Sequence, residues 1–494
     1  MPPDALVLAL DIGTSSVRSA LYDCRGNVLP DTMVKNERTL AVTEDGGAEI
    51  DADDAFEQHA AAIDEVLERS AGDDRPIGWV AASSFWHSLM GIDANGRPTT
   101  KVFGWADTRS RGHVTALRRR FNEAEIHNRT GARFHSSFWP AKLLWVRKEM
   151  PKEFGRTARW LSLSDLAASR LFGEAVTSVS MASGTGIFDI RKCDWDAELL
   201  RYLKVKRSSL PAIAAGPDTF KLTPKYARRW PRLKDAGWFP AIGDGAANNI
   251  GAGCLKRTKA ALMIGTSGAM RVAYAGDPPE HIPLGLWCYR IDRKRVIIGG
   301  ALSDGGGLYR WLKDNLRISE DDDHTEDEIA RRSPAGHGIT YLPFIAGERS
   351  TGYNENAAGA IIGLRSSHDQ IDITQAALEG VAYRFAAIFD QLKTVVPVRE
   401  VIASGGALRA SPVWTQIIAD TLGINLSLPD TREASSRGAV LLALETAGAL
   451  ENIENTPTPP GRQFEADRKR RVIYNRARKL HDKFYDLIID SPSE

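Results

Sequence analysis

Leu6–Asp23 reads "LVLALDIGTSSVRSALYD", and Ala260–Gly276 reads "AALMIGTSGAMRVAYAG". Each is an apolar run, a turn holding Gly-Thr-Ser, and a second strand-like run. Val7, Ala9 and Asp11 alternate with Leu6, Leu8 and Leu10, which predicts a strand ending in a tight turn. Gly26-Asn27 marks the next turn. One hairpin carried twice, half a chain apart, predicts two related halves.

Working outward, Asp51–Ala71 places Phe56, Ala60, Ile63 and Leu67 on one helical face behind an acidic start. Ile77–Phe85, "IGWVAASSF", predicts another strand, and strands alternating with helices indicate α/β layers. From about Phe103 to Pro240 the chain is richer in Arg, Trp and loop residues, and reads as an elaboration on the first core. Helices are predicted there over Val114–Arg120 and Ser164–Leu171. The pattern restarts near Ile242. Gln375–Val396 predicts an amphipathic helix, Glu400–Gly423 a strand, glycine turn and helix, and Ala434–Leu450 a further helix. The expected division is 1–245 and 246–494, with the joint near residues 240–255. Thr456–Gln463, "TPTPPGRQ", reads as an exposed connection, and Arg468–Arg471 as the solvated face of a polar C-terminal helix. Ser319–Glu328 lacks the glycine and spacing of a calcium loop and reads as an acidic helix start.

Composition sets the bounds. A chain of 494 residues exceeds one ordinary core, and 43% hydrophobic residues suit a globular protein. With 64 basic and 63 acidic side chains, no charge excess points to nucleic acid or an anionic membrane. The run Leu6–Leu10 is too short for a signal sequence, and no apolar stretch approaches the length of a membrane span. Cys24, Cys193, Cys254 and Cys288 are far apart and fit no zinc spacing or disulfide framework. A cytoplasmic setting is expected.

At Asp11-Ile12-Gly13-Thr14-Ser15, a glycine turn lets backbone amides approach an anion, and the hydroxyls of Thr14 and Ser15 can donate to phosphate. Asp11 is placed to hold hydrated magnesium, which takes one or two carboxylates plus phosphate. Arg18 can pair with phosphate as a fork. An ordinary β-turn with a capping aspartate is the competing reading. The repeat at Gly265-Thr266-Ser267-Gly268 favours a clamp gripping a triphosphate from two sides, with closure excluding water. No Walker loop is present.

The ordered set "LALDIGTSSVRSALYD", "GDGAANNIGAG", "IGTSGAMRV", "SGGALRASPVWTQIIADTLG" and "SSRGAVLLAL" resembles the FGGY family of carbohydrate kinases, in the actin-like ATPase superfamily. The resemblance implies two ribonuclease-H-like α/β domains with an interdomain cleft, and the use of ATP with Mg2+. It implies that Asp244 is the catalytic carboxylate taking the proton of the attacking hydroxyl, with Gly245 offering its amide. Ala246, Ala247, Gly251 and Gly253 suggest a closely packed helix. By the same analogy Gly306 and Arg310 lie near the polyphosphate, and Gly405, Gly406 and Ala407 leave room for adenine or ribose. Ser411 either contacts the base or caps a helix. Ser436-Arg437-Gly438-Ala439 departs from the family's Gly-Ala-Ala, and Arg437 has no role in this reading.

Trp86-His87-Ser88 and the segment with Trp105, Asp107 and Arg109 correspond to the family's sugar-lining stretches. Polar groups there would read hydroxyls while tryptophan faces pack on C–H edges. Together with Thr130-Gly131, "MASGTGIFDI" and "GERSTGYNENAAGAIIGL", they resemble the gluconate kinase branch, implying phosphorylation of gluconate to 6-phosphogluconate. Arg109 either meets the sugar-acid carboxylate or pairs with a neighbouring acid, and His87 either donates to substrate or packs. Trp86 replaces the usual Met, and Thr351 and Tyr353 replace the usual Pro and Trp. A xylulose- or ribulose-type polyol kinase is the alternative within the family. A non-catalytic nucleotide-gated sugar sensor or scaffold is the alternative outside catalysis. A dinucleotide-binding dehydrogenase fits poorly, because the first glycine turn is followed by a strand. A homodimer is implied only by the habit of the family.

Overall fold

The computed structural model describes residues 4–316, 322–430 and 433–489. Two mixed sheets carry the two halves, and their strand orders repeat. The first comprises β1 (Leu6–Ile12), β2 (Ser16–Tyr22), β3 (Val34–Glu37), β4 (Ile77–Ser84), β5 (Gly237–Trp238) and β6 (Ile242–Gly243). β1 runs antiparallel to β2 and parallel to β4, which also carries β5 and β6 in parallel. The second comprises β7 (Lys259–Ile264), β8 (Gly268–Ala275), β9 (Trp287–Arg290), β10 (Arg295–Leu302), β11 (Glu400–Ser404), β12 (Leu426–Pro429) and β13 (Gly461–Phe464). β7 runs antiparallel to β8 and parallel to β11, as β1 does to β2 and β4. The two Gly-Thr-Ser turns are the hairpin turns β1–β2 and β7–β8, so the sequence repeat is a repeat of fold. β1 is buried along its whole length, as a strand covered on both faces must be.

The helix α1 (Ala52–Arg69) opens where Asp51 accepts from the amides of Asp53 and Asp54. Its buried stripe runs through Phe56, Ala60, Ile63 and Val66, leaving Leu67 at the margin. In the elaboration, α2 covers Val114–Arg120 and α3 covers Leu163–Phe172, the latter opened by a Ser162/Asp165 capping box.

Between the sheets lie α4 (Asp244–Gly251) and, from late in the chain, α8 (Ala434–Thr446). Among the intervening helices are α5 (Gly306–Leu316), α6 (Gln370–Lys393) and α7 (Pro412–Leu422), and α9 (Arg468–Ile488) follows. Val7, Ala9 and Ala81 of the first sheet share one core with Ala246, Ala247 and Ile250 of α4, Val440 and Leu441 of α8, and Ala273 and Ile297 of the second sheet. α4 and α8 touch backbone to backbone. A Cβ on Gly251 would lie 1.9 Å from Ala434 O, and one on Gly438 1.8 Å from Ala247 O. Arg437, unexplained by sequence, donates to Gly251 O at 2.6 Å and ties the two helices.

One expectation is adjusted. Gly461–Gln463, read as a connection, begins the edge strand β13, because the chain there pairs with Ser427–Pro429. The acidic run 319–328 lies outside the described residues up to 321, and Asp322–Arg331 is helical. The polar face of α9 is exposed at Arg468, Lys469 and Arg471, while Tyr474, His481 and Tyr485 are buried. Among the described residues no helix is long and apolar enough to cross a membrane.

Candidate active site

Three parallel strands finish level. In register, Asp11 of β1 faces Ser83 of β4, and both Ile12 and Gly243 of β6 face Ser84. Asp11, the segment beginning at Phe85 and Asp244 therefore leave the sheet together at the carboxyl edge, where open α/β sheets place their ligands. Asp11 is buried. One carboxylate oxygen accepts from Ser83 Oγ at 2.6 Å and the other faces Arg18 at 3.3 Å. Burial pushes this carboxyl above its ordinary pKa, against the pull of Ser83 and Arg18. Arg18 also reaches Glu433 at 3.3 Å, so the expected phosphate fork lies between two carboxylates drawn from opposite halves.

Asp244 opens α4, and its Oδ1 accepts from the amide of Gly245 at 2.7 Å. Burial raises its pKa to about 6, with Arg271 opposing and Asp11 adding to the rise. The buried Arg271, on β8, donates to Gly245 O at 2.9 Å. The second half thus clamps the turn that the first half ends on.

Trp86 is a wall rather than a polar contact. It is 6% exposed, its indole donates to Ser180 O at 3.0 Å, and its ring fills the space beside three glycines. A Cβ on Gly243, Gly184 or Gly245 would lie 1.9, 2.3 or 2.6 Å from the ring. His87 has φ +72° and hydrogen-bonds through Nδ1 to Gly184 O at 2.5 Å. With Nδ1 donating, Nε2 is an acceptor. Burial holds the imidazole well below its ordinary pKa and so neutral.

Lys142 was missed by sequence. It is 1% exposed, and Nζ donates to the carbonyls of His87 (2.9 Å), Gly104 (2.6 Å) and Ser137 (2.9 Å). One ammonium thus ties both sugar-lining segments to a third. Burial lowers its pKa to about 7. Its signal was a lysine inside the apolar run Trp139–Val146. Trp105 donates to Thr14 Oγ1 at 3.3 Å, linking a sugar-lining segment to the first hairpin turn.

Asp107 and Arg109 serve each other. The Arg109 guanidinium bonds Asp107 at 2.5 Å and Glu49 at 2.6 Å, and stacks on Trp145 and Phe103. Asp107, 1% exposed, also accepts from the amide of Ala48. The pair meets the need of each buried charge for a partner, which is the second of the two readings offered for Arg109.

On the nucleotide side, Gly305–Gly307 lie directly on the second hairpin turn. Gly306 N donates to Gly265 O at 2.8 Å, and the amides of Gly305 and Gly307 donate to Thr266 O. A Cβ on Gly306 would lie 2.7 Å from Gly265 O and 3.0 Å from Ala407 Cβ. Gly265, Thr266, Gly306 and Ala407 are therefore brought together, and the space beside Gly406 is open. Arg310 is exposed on α5. The Ser411 hydroxyl accepts from Trp414 N at 3.1 Å and bonds Glu326, so it caps α7 rather than facing a base. In the first turn Gly13 N donates to Ser16 O at 2.9 Å, with Thr14 half-buried and Ser15 exposed. Arg38, also missed, supports this turn by donating to Gly13 O and, through its amide, to Ser15 O.

The chain is similar to known proteins along nearly its whole length. It is 28% identical over 462 residues to a gluconokinase of Bacillus subtilis (strain 168), covering 91% of this chain and 89% of that one. Its fold is similar to the crystal structure of gluconate kinase from Lactobacillus acidophilus, with a TM-score of 0.90, 25% identity and 99% of both chains covered. The same TM-score, identity and coverage relate it to a ligand-bound xylulose kinase from that organism. Residues 6–233 match the N-terminal domain of the FGGY family of carbohydrate kinases, and residues 260–447 match its C-terminal domain. With both domains matched in order and the repeated sheets on either side of α4 and α8, the chain belongs to the FGGY family of carbohydrate kinases.

Proposed function

We propose that this carbohydrate kinase transfers the terminal phosphoryl group of ATP to gluconate, giving 6-phosphogluconate. The observation that carries the reading is the placement of Asp244. It opens a helix at the strand edge shared with Asp11, and its pKa is lifted to about 6. Such a carboxyl is ionised at neutral pH yet is a better proton acceptor than an ordinary aspartate. Asp244 takes the proton of the attacking hydroxyl, and His87 Nε2 accepts from another hydroxyl of the sugar. Gly245 offers its amide on the acceptor side, and Trp105 offers a ring face.

Phosphoryl transfer depends mostly on positioning and charge neutralisation. Gly13, Thr14 and Ser15 on one side, and Gly265, Thr266 and Gly306 on the other, orient the phosphates. Gly406 and Ala407 leave room for the adenosine. Asp11 fits a magnesium ion held mainly by phosphates, since among the described residues its buried charge is met by one hydroxyl and one guanidinium shared with Glu433. When bound, that ion supplies neutralisation of phosphate charge. The four free cysteines accord with a cytoplasmic setting.

The name and sequence of the B. subtilis relative support gluconate. The equal structural likeness to a xylulose kinase supports a ketopentose as the second reading. The test is ADP release across gluconate, xylulose, ribulose and glycerol, with Asp244→Asn beside the native chain. Gluconate should give the highest kcat/KM, and the variant should lose turnover. Preference for xylulose moves the assignment, and full activity of the variant ends the mechanism.

A further inference from the structure

A carboxylate on the acceptor needs a cation that no protein carboxylate already holds. Arg109 is held by Asp107 and Glu49, and Arg18 by Asp11 and Glu433. Arg133 pairs with Glu123, Lys142 is saturated by three carbonyls, and Arg271 bonds Gly245 O. Arg349 differs. It is half-buried, and among the described residues no carboxylate lies within ion-pair distance of it. Its guanidinium carbon sits 5.4 Å from the centre of the Trp105 ring. The residue comes from the second half and meets a sugar-lining tryptophan of the first, the same tryptophan that bonds Thr14.

Its neighbours hold it rigidly. Glu348 accepts from Arg384 at 2.7 Å, from Tyr485 Oη at 2.9 and 3.0 Å, and from the amide of Gly352 at 3.1 Å. Ser350 N donates to Ala301 O, and Ser350 Oγ accepts from Ala301 N. Arg349 thus projects from a loop anchored on both sides to α6, α9 and β10. The groups that feel its charge surround the acceptor region from both halves: Asp244, His87, His135, Lys142 and Tyr289. A guanidinium with one face on an aromatic ring keeps its donor fork free for a planar carboxylate. Ordered in advance, it loses little freedom on binding.

We propose that Arg349 binds the carboxylate of the acceptor and is the residue by which this kinase tells a sugar acid from a neutral sugar. The inference rests on the reading of the acceptor as gluconate. It replaces Arg109 in the role that sequence offered it.

The experiment compares gluconate with gluconamide, its uncharged amide, as acceptors for the full chain and for Arg349→Gln, by ADP release at saturating ATP. The native chain should prefer gluconate in kcat/KM by about 10- to 150-fold, the worth of one charge-assisted pair. In Arg349→Gln that preference should shrink to within about threefold, chiefly through KM for gluconate. Arg349→Lys, which keeps the charge and loses the fork, should fall between, and it carries the test if the glutamine variant melts early. Equal losses on both acceptors would assign Arg349 to the transferred phosphoryl group and overturn the proposal. A native chain that uses gluconate without preferring it to the amide would also overturn it, while leaving gluconate as substrate. A native chain that phosphorylates only neutral sugars removes the gluconate reading, and this inference with it.

Discussion

Gly243→Ala is the most demanding test of how the site is built. The residue immediately precedes Asp244, and its added Cβ would fall 1.9 Å from Trp86 Cε2 and 2.1 Å from Cζ2. The indole cannot retreat easily. Its N–H is bonded to Ser180 O, and its other flanks lie against Gly184 and Gly245. Overpacking of this kind costs about 1–3 kcal/mol. At about 2–4 °C per kcal/mol for domains of this size, Tm should fall by roughly 2–12 °C. The strain relieves itself by moving either Trp86, and with it the backbone of His87, or Asp244. A shift near 1 Å at reacting groups costs about 100-fold in rate. The assay is a thermal melt beside steady-state kinetics with the best acceptor, plus ADP binding to show that the nucleotide side survives. Trp86→Met in the same chain removes the ring and should restore Tm and kcat in part, giving a coupling of about 1 kcal/mol or more. A single variant with native Tm and kcat, or two substitutions whose effects simply add, would refute the packing argument.

Asp244→Asn should lower kcat by about 100- to 10,000-fold, the range for loss of a positioned base, while calorimetry shows ADP still bound. Because Asp244 acts ionised and its pKa is raised to about 6, kcat/KM should climb as pH rises through about 6 and level above it; a limb near the ordinary aspartate value of about 4 would contradict the burial argument. Ser411→Ala should lose about 1 kcal/mol of stability through the cap of α7 and alter KM for ATP by no more than about twofold, whereas a tenfold rise would return Ser411 to the nucleotide.

The architecture was legible because its signals are local. The apolar runs Leu6–Ile12 and Lys259–Ile264, the glycines of both turns and the acidic start of α1 each involve residues a few positions apart. Asp244 stood out only through the resemblance to the family, since an aspartate in a glycine-rich turn carries no role by itself. The fates of other site residues were not legible, because their partners are distant in the chain. Ser411 has the right residue type for a base contact or a cap, and only Glu326 and Trp414 N decide between them. Trp86 could have faced a sugar with its indole N–H, but three glycines from two distant segments make room for its ring in the wall. Lys142 carries no motif, and its three carbonyl partners come from three loops.

The sequence alone determined that two strand–glycine–strand units exist and that each continues into an α/β half. Periodicity and turn chemistry suffice for that, since they act between near neighbours. Tertiary structure alone decided which charges are occupied and which are available. Along the chain only Arg109 drew the role of meeting a carboxylate, yet folding brings Glu49 and Asp107 to Arg109 and sets Arg349 on a tryptophan face. Electrostatic pairing depends on distance in space and on burial, and neither is set until the halves have packed.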